Sequence, residues 1–158
     1  MPAGPDRSVS VGDGDRWAAA ELLARYAERM DAGDFEGVGA LLSDAVVTTA
    51  DGSVVATGAA EVQALYERTT RRFDDGTPHS AHVITNVIVD DAGDGELEVR
   101  SRFTVFQGTG RLGLQPVVVG RYVDRLRRVD GEWRFVRRTM IPERWGDVGD
   151  HLTFDPRG

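Results

Sequence analysis

Apolar and polar positions along the chain fall into two regimes, a helical spacing in the first half and a two-residue alternation in the second. Asp15 reads as an N-cap, and after it Trp17, Leu22, Leu23, Tyr26 and Met30 recur near helical spacing, which predicts a first amphipathic helix to about Met30. Gly33 supplies its stop, and Asp34 caps a second, short helix to about Leu42 that Gly37 and Gly39 weaken. Val46 to Thr49 and Ser53 to Ala56 have β propensity and flank Ala50 and an Asp51-Gly52 pair, a hairpin signal. Thr57 then caps a third helix with Val62, Leu65, Tyr66, Thr69 and Phe73 on one face and Arg71-Arg72 at the negative end of its dipole.

From His82 the period changes and stays changed. His82 to Val89, Glu96 to Gln107, Gln115 to Val129 and Glu132 to Ile141 read as strands, joined by residues 90–95, 108–113 and Asp130-Gly131. Such short connections suit an antiparallel meander. Strands of about ten residues exceed the usual five or six, so the sheet must curl, and a curled sheet with helices on its concave side encloses a pocket. The element order predicts an α+β fold, with three N-terminal helices packed on a strongly curved, mainly antiparallel sheet.

Composition narrows the function classes. The 158 residues suit one domain, and no apolar run approaches the roughly 18 residues of a membrane span. Residues 1–14 read as a disordered tail without a basic-then-apolar leader, residues 15–145 as the domain, and residues 146–158 as a C-terminal tail. That last stretch is glycine-rich yet carries His151, Leu152 and Phe154, which suits a cover over the pocket or a neighbouring subunit. The absence of cysteine excludes disulfides and cysteine-ligated zinc and is compatible with a cytoplasmic location. A net charge of −7 and an isoelectric point near 4.9 argue against nucleic acid as a partner. All 19 basic residues are arginine, and those in Gly120 to Arg128 alternate with apolar residues, as on a solvated strand face opposite acidic neighbours.

Candidate chemistry centres on Asp31 and His82. Asp31 lies in the last turn of the first helix, where the helix dipole and partial burial both disfavour a negative charge, so it would make a stronger base; the other reading is a local bond to the turn before Asp34. His82 opens the first long strand with Ile84 and Asn86 on the same side. Taken alone it is a structural histidine or a catalytic one; beside a carboxylate that fixes its tautomer it becomes a base. His79, His82 and His151 lack metal-ligand spacing, and no metal is expected. Trp17, Tyr26, Met30, Phe103, Phe106, Tyr122 and Trp145 are core or cavity residues, with Tyr26 and Met30 next to Asp31.

Several stretches together, Tyr26 to Asp31, Gly33-Asp34-Phe35, His82 to Asn86, Gly120-Arg-Tyr122 and Asp130 to Phe135, resemble the SnoaL-like branch of the nuclear-transport-factor-2-like superfamily over about residues 15–145. The resemblance implies a conical α+β barrel with a deep apolar cavity. It also implies an Asp–His dyad, because scytalone dehydratases and hexachlorocyclohexane dehydrochlorinases of that superfamily place an aspartate and a histidine at the positions of Asp31 and His82. Met30 stands where scytalone dehydratases have a tyrosine, and no histidine occurs around Arg100 to Thr104, so the resemblance does not carry that particular dehydration. An Asp-Arg-Asp water-activating set, as in limonene epoxide hydrolases, would have to come from Arg100, Asp124 and Arg138.

The expected activity is cofactor-independent elimination, isomerisation or cyclisation of a small apolar or aromatic, polyketide- or terpenoid-like molecule. His82 would move the proton, Asp31 would orient it, and Tyr26, Asn86 or Ser101 would polarise the substrate, with Met30, Phe103 and Trp145 around it. The alternative is a non-catalytic binding or assembly domain of the same fold. The apolar outer face of the long strands is expected to make a homo-oligomer, a dimer or trimer, with no membrane or nucleic-acid partner.

Overall fold

A computed structural model describes residues 10–158. Three helices, α1 (Asp13–Asp31), α2 (Phe35–Leu41) and α3 (Gly58–Thr69), cover one face of a curled sheet made of β1 (Val46–Thr49), β2 (Val54–Thr57), β3 (Ser80–Gly93), β4 (Glu96–Gln107), β5 (Gln115–Val129) and β6 (Glu132–Trp145). The strand order is β2-β1-β6-β5-β4-β3. The four long strands form the expected antiparallel meander, and β1 joins it parallel to β6. Among the described residues no helix is long and apolar enough to cross a membrane.

The start of α1 departs from expectation. Gly12, not Asp15, is the N-cap, and Asp15 in the first turn accepts from the Gly12 N–H at 3.0 Å. Asp13 and Gly14, expected in a tail, belong to the helix, while residues 1–9 of that tail lie outside the described residues. The buried stripe is Ala19, Leu23, Tyr26, Ala27 and Met30, a clean helical repeat from which Trp17 is displaced; Trp17 is 77% exposed. At the other end Gly33 N–H bonds to Met30 and Asp34 N–H to Arg29, a Schellman closure that requires the positive φ of Gly33, 70°. A side chain there would also collide with the Gly76 carbonyl. Asp34 then caps α2 as predicted, accepting from Gly37 N–H at 2.8 Å.

The third helix stops at Thr69 because the chain after it finds another partner. Thr70 bridges to Leu152, and Arg71 N–H bonds to the His151 carbonyl at 2.8 Å, so Phe73 and Arg71-Arg72 lie beyond the helix and not on it. Thr57 makes no side-chain cap; its N–H is instead taken by Glu61 at 2.8 Å. Strands β3 and β6 run longer than the alternation suggested. A bulge between Thr85 and Ile88 carries β3 past Val89, and another at Val119/Gly120 lets β6 continue through Pro142 to Trp145.

One sheet face is apolar and buried under the helices, with Leu97, Val99, Phe103, Val105, Tyr122, Leu126 and Phe135 in the core. The opposite face is not the apolar interface expected from the long strands. It carries an arginine–carboxylate ladder in which Arg100 meets Asp90, Arg102 and Arg121 meet Glu143, Arg125 meets Glu98, and Arg127 meets Glu96. These are the acidic neighbours anticipated for the alternating arginines, and being half-exposed they contribute little stability each.

One ion pair is different. Arg138 and Asp124 face each other from β6 and β5, both fully buried, with two hydrogen bonds of 2.8 and 2.9 Å. The guanidinium is held between the rings of Tyr26 and Tyr122, each 4.1 Å from its centre. Burial opposes the charge on Arg138, but the Asp124 carboxylate outweighs it and raises the arginine above its usual range. Removing one partner strands the other, at a cost of about 3–5 kcal/mol, whereas replacing both with apolar groups is far milder. Asp124→Leu should therefore lower the urea-unfolding free energy by several times as much as the Asp124→Leu/Arg138→Met double variant, measured at neutral pH.

Candidate functional site

The Schellman turn at Gly33 fixes where α1 ends and therefore where the Asp31 carboxylate points. It does not bond to its own turn. It reaches across to the start of β3 and accepts three hydrogen bonds there: from Ser80 Oγ at 3.0 Å, from the His82 backbone N–H at 2.8 Å and from His82 Nδ1 at 2.6 Å. With Nδ1 committed to Asp31, the imidazole keeps Nε2 as its free nitrogen. The His82 side chain is 5% exposed and that of Asp31 25%.

His82 lies on the wall of a cavity of about 580 Å³ between the helices and the sheet. Tyr26, Met30, Phe103 and Trp145, expected around a ligand, all line it, together with Leu65, Tyr66, Val105, Val118, Tyr122 and Met140. The β1–β2 turn at Thr49 to Asp51 and the C-terminal Leu152, Phe154 and Pro156 complete the wall. Gly120 keeps part of this wall close, since a side chain there would meet the Ile141 carbonyl and the Phe103 ring.

Two expected residues do not line the cavity. Asn86 sits in the β3 bulge with φ of 56° and is exposed, because the bulge breaks the alternation that would have put it beside His82. Ser101 points inward, but it is buried away from the cavity with no partner for its hydroxyl. Trp17 and Phe106 are also absent from the wall. Of the arginine-based set, Asp124 and Arg138 converge with each other, while Arg100 is on the outer face with Asp90.

The polar groups inside form a chain of contacts. Tyr26 packs edge-on to His82 with ring centroids 6.2 Å apart, and its hydroxyl meets that of Tyr66 at 2.8 Å. Burial pushes the Tyr66 and Tyr122 phenols well above their ordinary range, so both stay protonated. Among the described residues no group of three or more His, Asp or Glu is placed to hold a metal ion. His79 instead stacks on Phe73 and bonds to Asp75.

Sequence reasoning missed two residues. Tyr66 was legible only as part of a helical core stripe. His151 is 5% exposed on the cavity wall, its ring centroid 6.4 Å from that of His82. The only signal for it was a glycine-rich tail that nevertheless carries Leu152 and Phe154.

The family model of the SnoaL-like domain matches residues 14–139. The chain belongs to the SnoaL-like family. No curated protein matches it. Solved structures share the fold of this SnoaL-like protein: a candidate scytalone dehydratase of Novosphingobium aromaticivorans DSM 12444 is 24% identical, with a TM-score of 0.67 over 85% of this chain and 87% of its own. ActVI-ORFA of Streptomyces coelicolor is 18% identical, with a TM-score of 0.68 over 82% of this chain and 98% of its own. A protein of unknown function from Nostoc punctiforme PCC 73102 is 22% identical, with a TM-score of 0.67 over 85% and 96%.

Burial, and then the nearby His82, lower the pKa of His151 to about 4 against an ordinary 6.5, with Asp31 opposing. Between those values the unfolded chain binds more protons than the folded one, so stability falls as pH drops from about 6.5 to about 4. The loss attributable to this ring is about 3 kcal/mol. Urea unfolding across that window should show a decline in the wild-type protein that is shallower by this contribution in His151→Leu.

Proposed function

We propose that this SnoaL-like protein is a proton-transfer enzyme that uses its own side chains, without a cofactor, on a small apolar or aromatic molecule. The observation that carries the reading is the His82 imidazole on an apolar cavity wall, with Nδ1 held 2.6 Å from Asp31. Asp31 is occupied by three donors, so it orients His82 and balances the imidazolium that forms; the base is His82 Nε2. The apolar wall excludes water from the transfer and takes a ring-containing substrate, polyketide- or terpenoid-like in character. The protonated phenols of Tyr66 and Tyr122 and the Tyr26 hydroxyl are donors within the same cavity, in the role first expected of Asn86 and Ser101. Elimination, isomerisation and cyclisation all begin with this proton step. The structural relative described as a candidate scytalone dehydratase is compatible with the first.

A probe that asks only for the proton step is 2-tetralone, an apolar ketone with acidic α-hydrogens. In D2O the wild-type protein should catalyse exchange of those hydrogens, followed by proton NMR. His82→Ala and Asp31→Asn should each reduce the rate by about 10²–10⁴-fold, the usual contribution of a positioned base, while circular dichroism shows a folded protein. Exchange undiminished in both variants sinks the dyad; binding without exchange in the wild type returns the site to a ligand-binding module.

The homo-oligomer belongs to the same proposal, through a different surface from the one first expected. Strand β3 is a sheet edge with Val83, Val87 and Ile88 exposed, and Trp17 on α1 shares a groove with Val87. Sedimentation velocity should give a dimer or trimer that Val87→Lys/Ile88→Lys converts to monomer; a monomeric wild type rejects it.

A further inference from the structure

One buried group remains unused by the dyad. His151 is carried by the C-terminal segment, and its backbone is tied on both sides: its N–H bonds to the Val148 carbonyl at 2.9 Å, and its carbonyl accepts from Arg71 N–H at 2.8 Å. The preceding Asp150 carbonyl accepts from the buried Gln107 side chain at 3.0 Å, and the Asp150 carboxylate accepts from Thr109 Oγ at 2.6 Å. The ring is therefore placed by a backbone frame, and among the described residues its side chain makes no hydrogen bond. Its Nδ1 is buried without a hydrogen-bond partner.

A polar ring kept in a cavity wall with a nitrogen unused is expensive, and the neighbouring wall positions show that apolar residues fit there, as Leu152 and Phe154 do. A neutral imidazole has one N–H and one lone pair. An orphaned N–H is the rarer and costlier arrangement in protein interiors, so the lone pair belongs on the buried Nδ1 and the proton on Nε2. The ionisable groups that act on the ring are His82, its neighbour on the cavity wall with a centroid 6.4 Å away, and Asp31 behind it. Two imidazoles with centroids 6.4 Å apart can both reach an O–C–C unit set between them, given a heavy-atom reach of about 3 Å from each.

We propose that His151 is a second catalytic residue of this site, donating a hydrogen bond from Nε2 to the carbonyl oxygen of an enolisable ketone while His82 removes the proton from the adjacent carbon. The inference rests on the proton-transfer reading and deepens it by naming the substrate class. In the step, the α C–H bond breaks, its proton goes to His82 Nε2, and its electron pair moves through the carbon framework to the oxygen. The product is an enolate hydrogen-bonded to His151 beside an imidazolium balanced by Asp31. In a β,γ-unsaturated ketone the enolate extends through the double bond, and return of the proton at the γ carbon isomerises the substrate. Expulsion of a β-hydroxyl that takes the proton from His82 releases water and leaves a conjugated ketone.

The test uses 2-tetralone with 2-naphthol, the aromatic counterpart of its enol, and naphthalene, which has the shape without the oxygen. His151→Leu should slow 2-tetralone exchange by about 10²–10³-fold, as loss of an oxyanion donor does. It should also weaken binding of ionised 2-naphthol, read by fluorescence, while leaving naphthalene binding unchanged. His151→Gln keeps an N–H donor and should recover part of both losses, which also guards against misfolding of the leucine variant. Wild-type exchange and naphtholate affinity in His151→Leu overturn the proposal, as does an equal loss of naphthalene binding, which marks the ring as packing. If the wild-type protein exchanges nothing, the dyad fails, and His151 is then judged by naphtholate against naphthalene binding alone; equal effects on the two ligands reject it.

Discussion

The Asp31 carboxylate is the point where fold and site become the same thing. Its three hydrogen bonds join the last turn of α1 to the first residues of β3, and one of them sets the tautomer of His82. A helix end is a poor place for a negative charge, because the dipole there opposes it. Three donors from the opposing strand offset that, including a backbone N–H that cannot move away. The turn must therefore stop α1 at one residue and no other, which is why a glycine with positive φ, packed against the Gly76 carbonyl, follows so closely.

Behind this junction the cavity wall is organised by a second charge. Arg138 has no solvent, and its guanidinium lies between the rings of Tyr26 and Tyr122, which themselves face the cavity. The arginine thus fixes two wall residues at once, and Asp124 fixes the arginine through two hydrogen bonds. Tyr26 is the shared member. It touches His82 edge-on, bonds to Tyr66 and caps the guanidinium, so one ring stands in contact with both the buried ion pair and the imidazole.

Much of this was legible because local and global signals agree. Strands β4 and β5 were bounded to the residue by the alternation and by the turns around them. The contact between Asp31 and His82 was anticipated from the family resemblance, since neither residue's spacing alone joins the end of α1 to the start of β3. Errors came where a non-local partner overrides a local pattern. Phe73 left the α3 stripe because Thr70 and Arg71 pair with Leu152 and His151 of the C-terminal segment, far along the chain and invisible to periodicity. Asn86 left the site because one bulge reverses alternation from that point. Trp17 was placed in the apolar stripe of α1 by an approximate spacing, whereas the repeat from Ala19 to Met30 excludes it. His151 was legible only as part of a glycine-rich tail suited to cover the pocket, since its place depends on where that segment docks.

The same arrangement bears on what kind of reaction the cavity can tolerate. A dry site disfavours any step that creates isolated charge, and moving a proton from a neutral carbon acid to a neutral histidine creates two. Here the buried pair of Arg138 and Asp124 is already neutral as a unit, and the charge bonded to His82 is that of Asp31. In the proposed reaction, protonation of His82 would complete a second neutral pair with Asp31, and the negative charge on the substrate would be met by hydrogen-bond donors of the wall and not by a cation. A fixed cation beside the substrate would hold the anion in place; donors such as phenols and a neutral imidazole stabilise it while still allowing the proton to return. That balance suits reversible proton transfer, and it follows from which buried groups are paired with each other and which face the cavity.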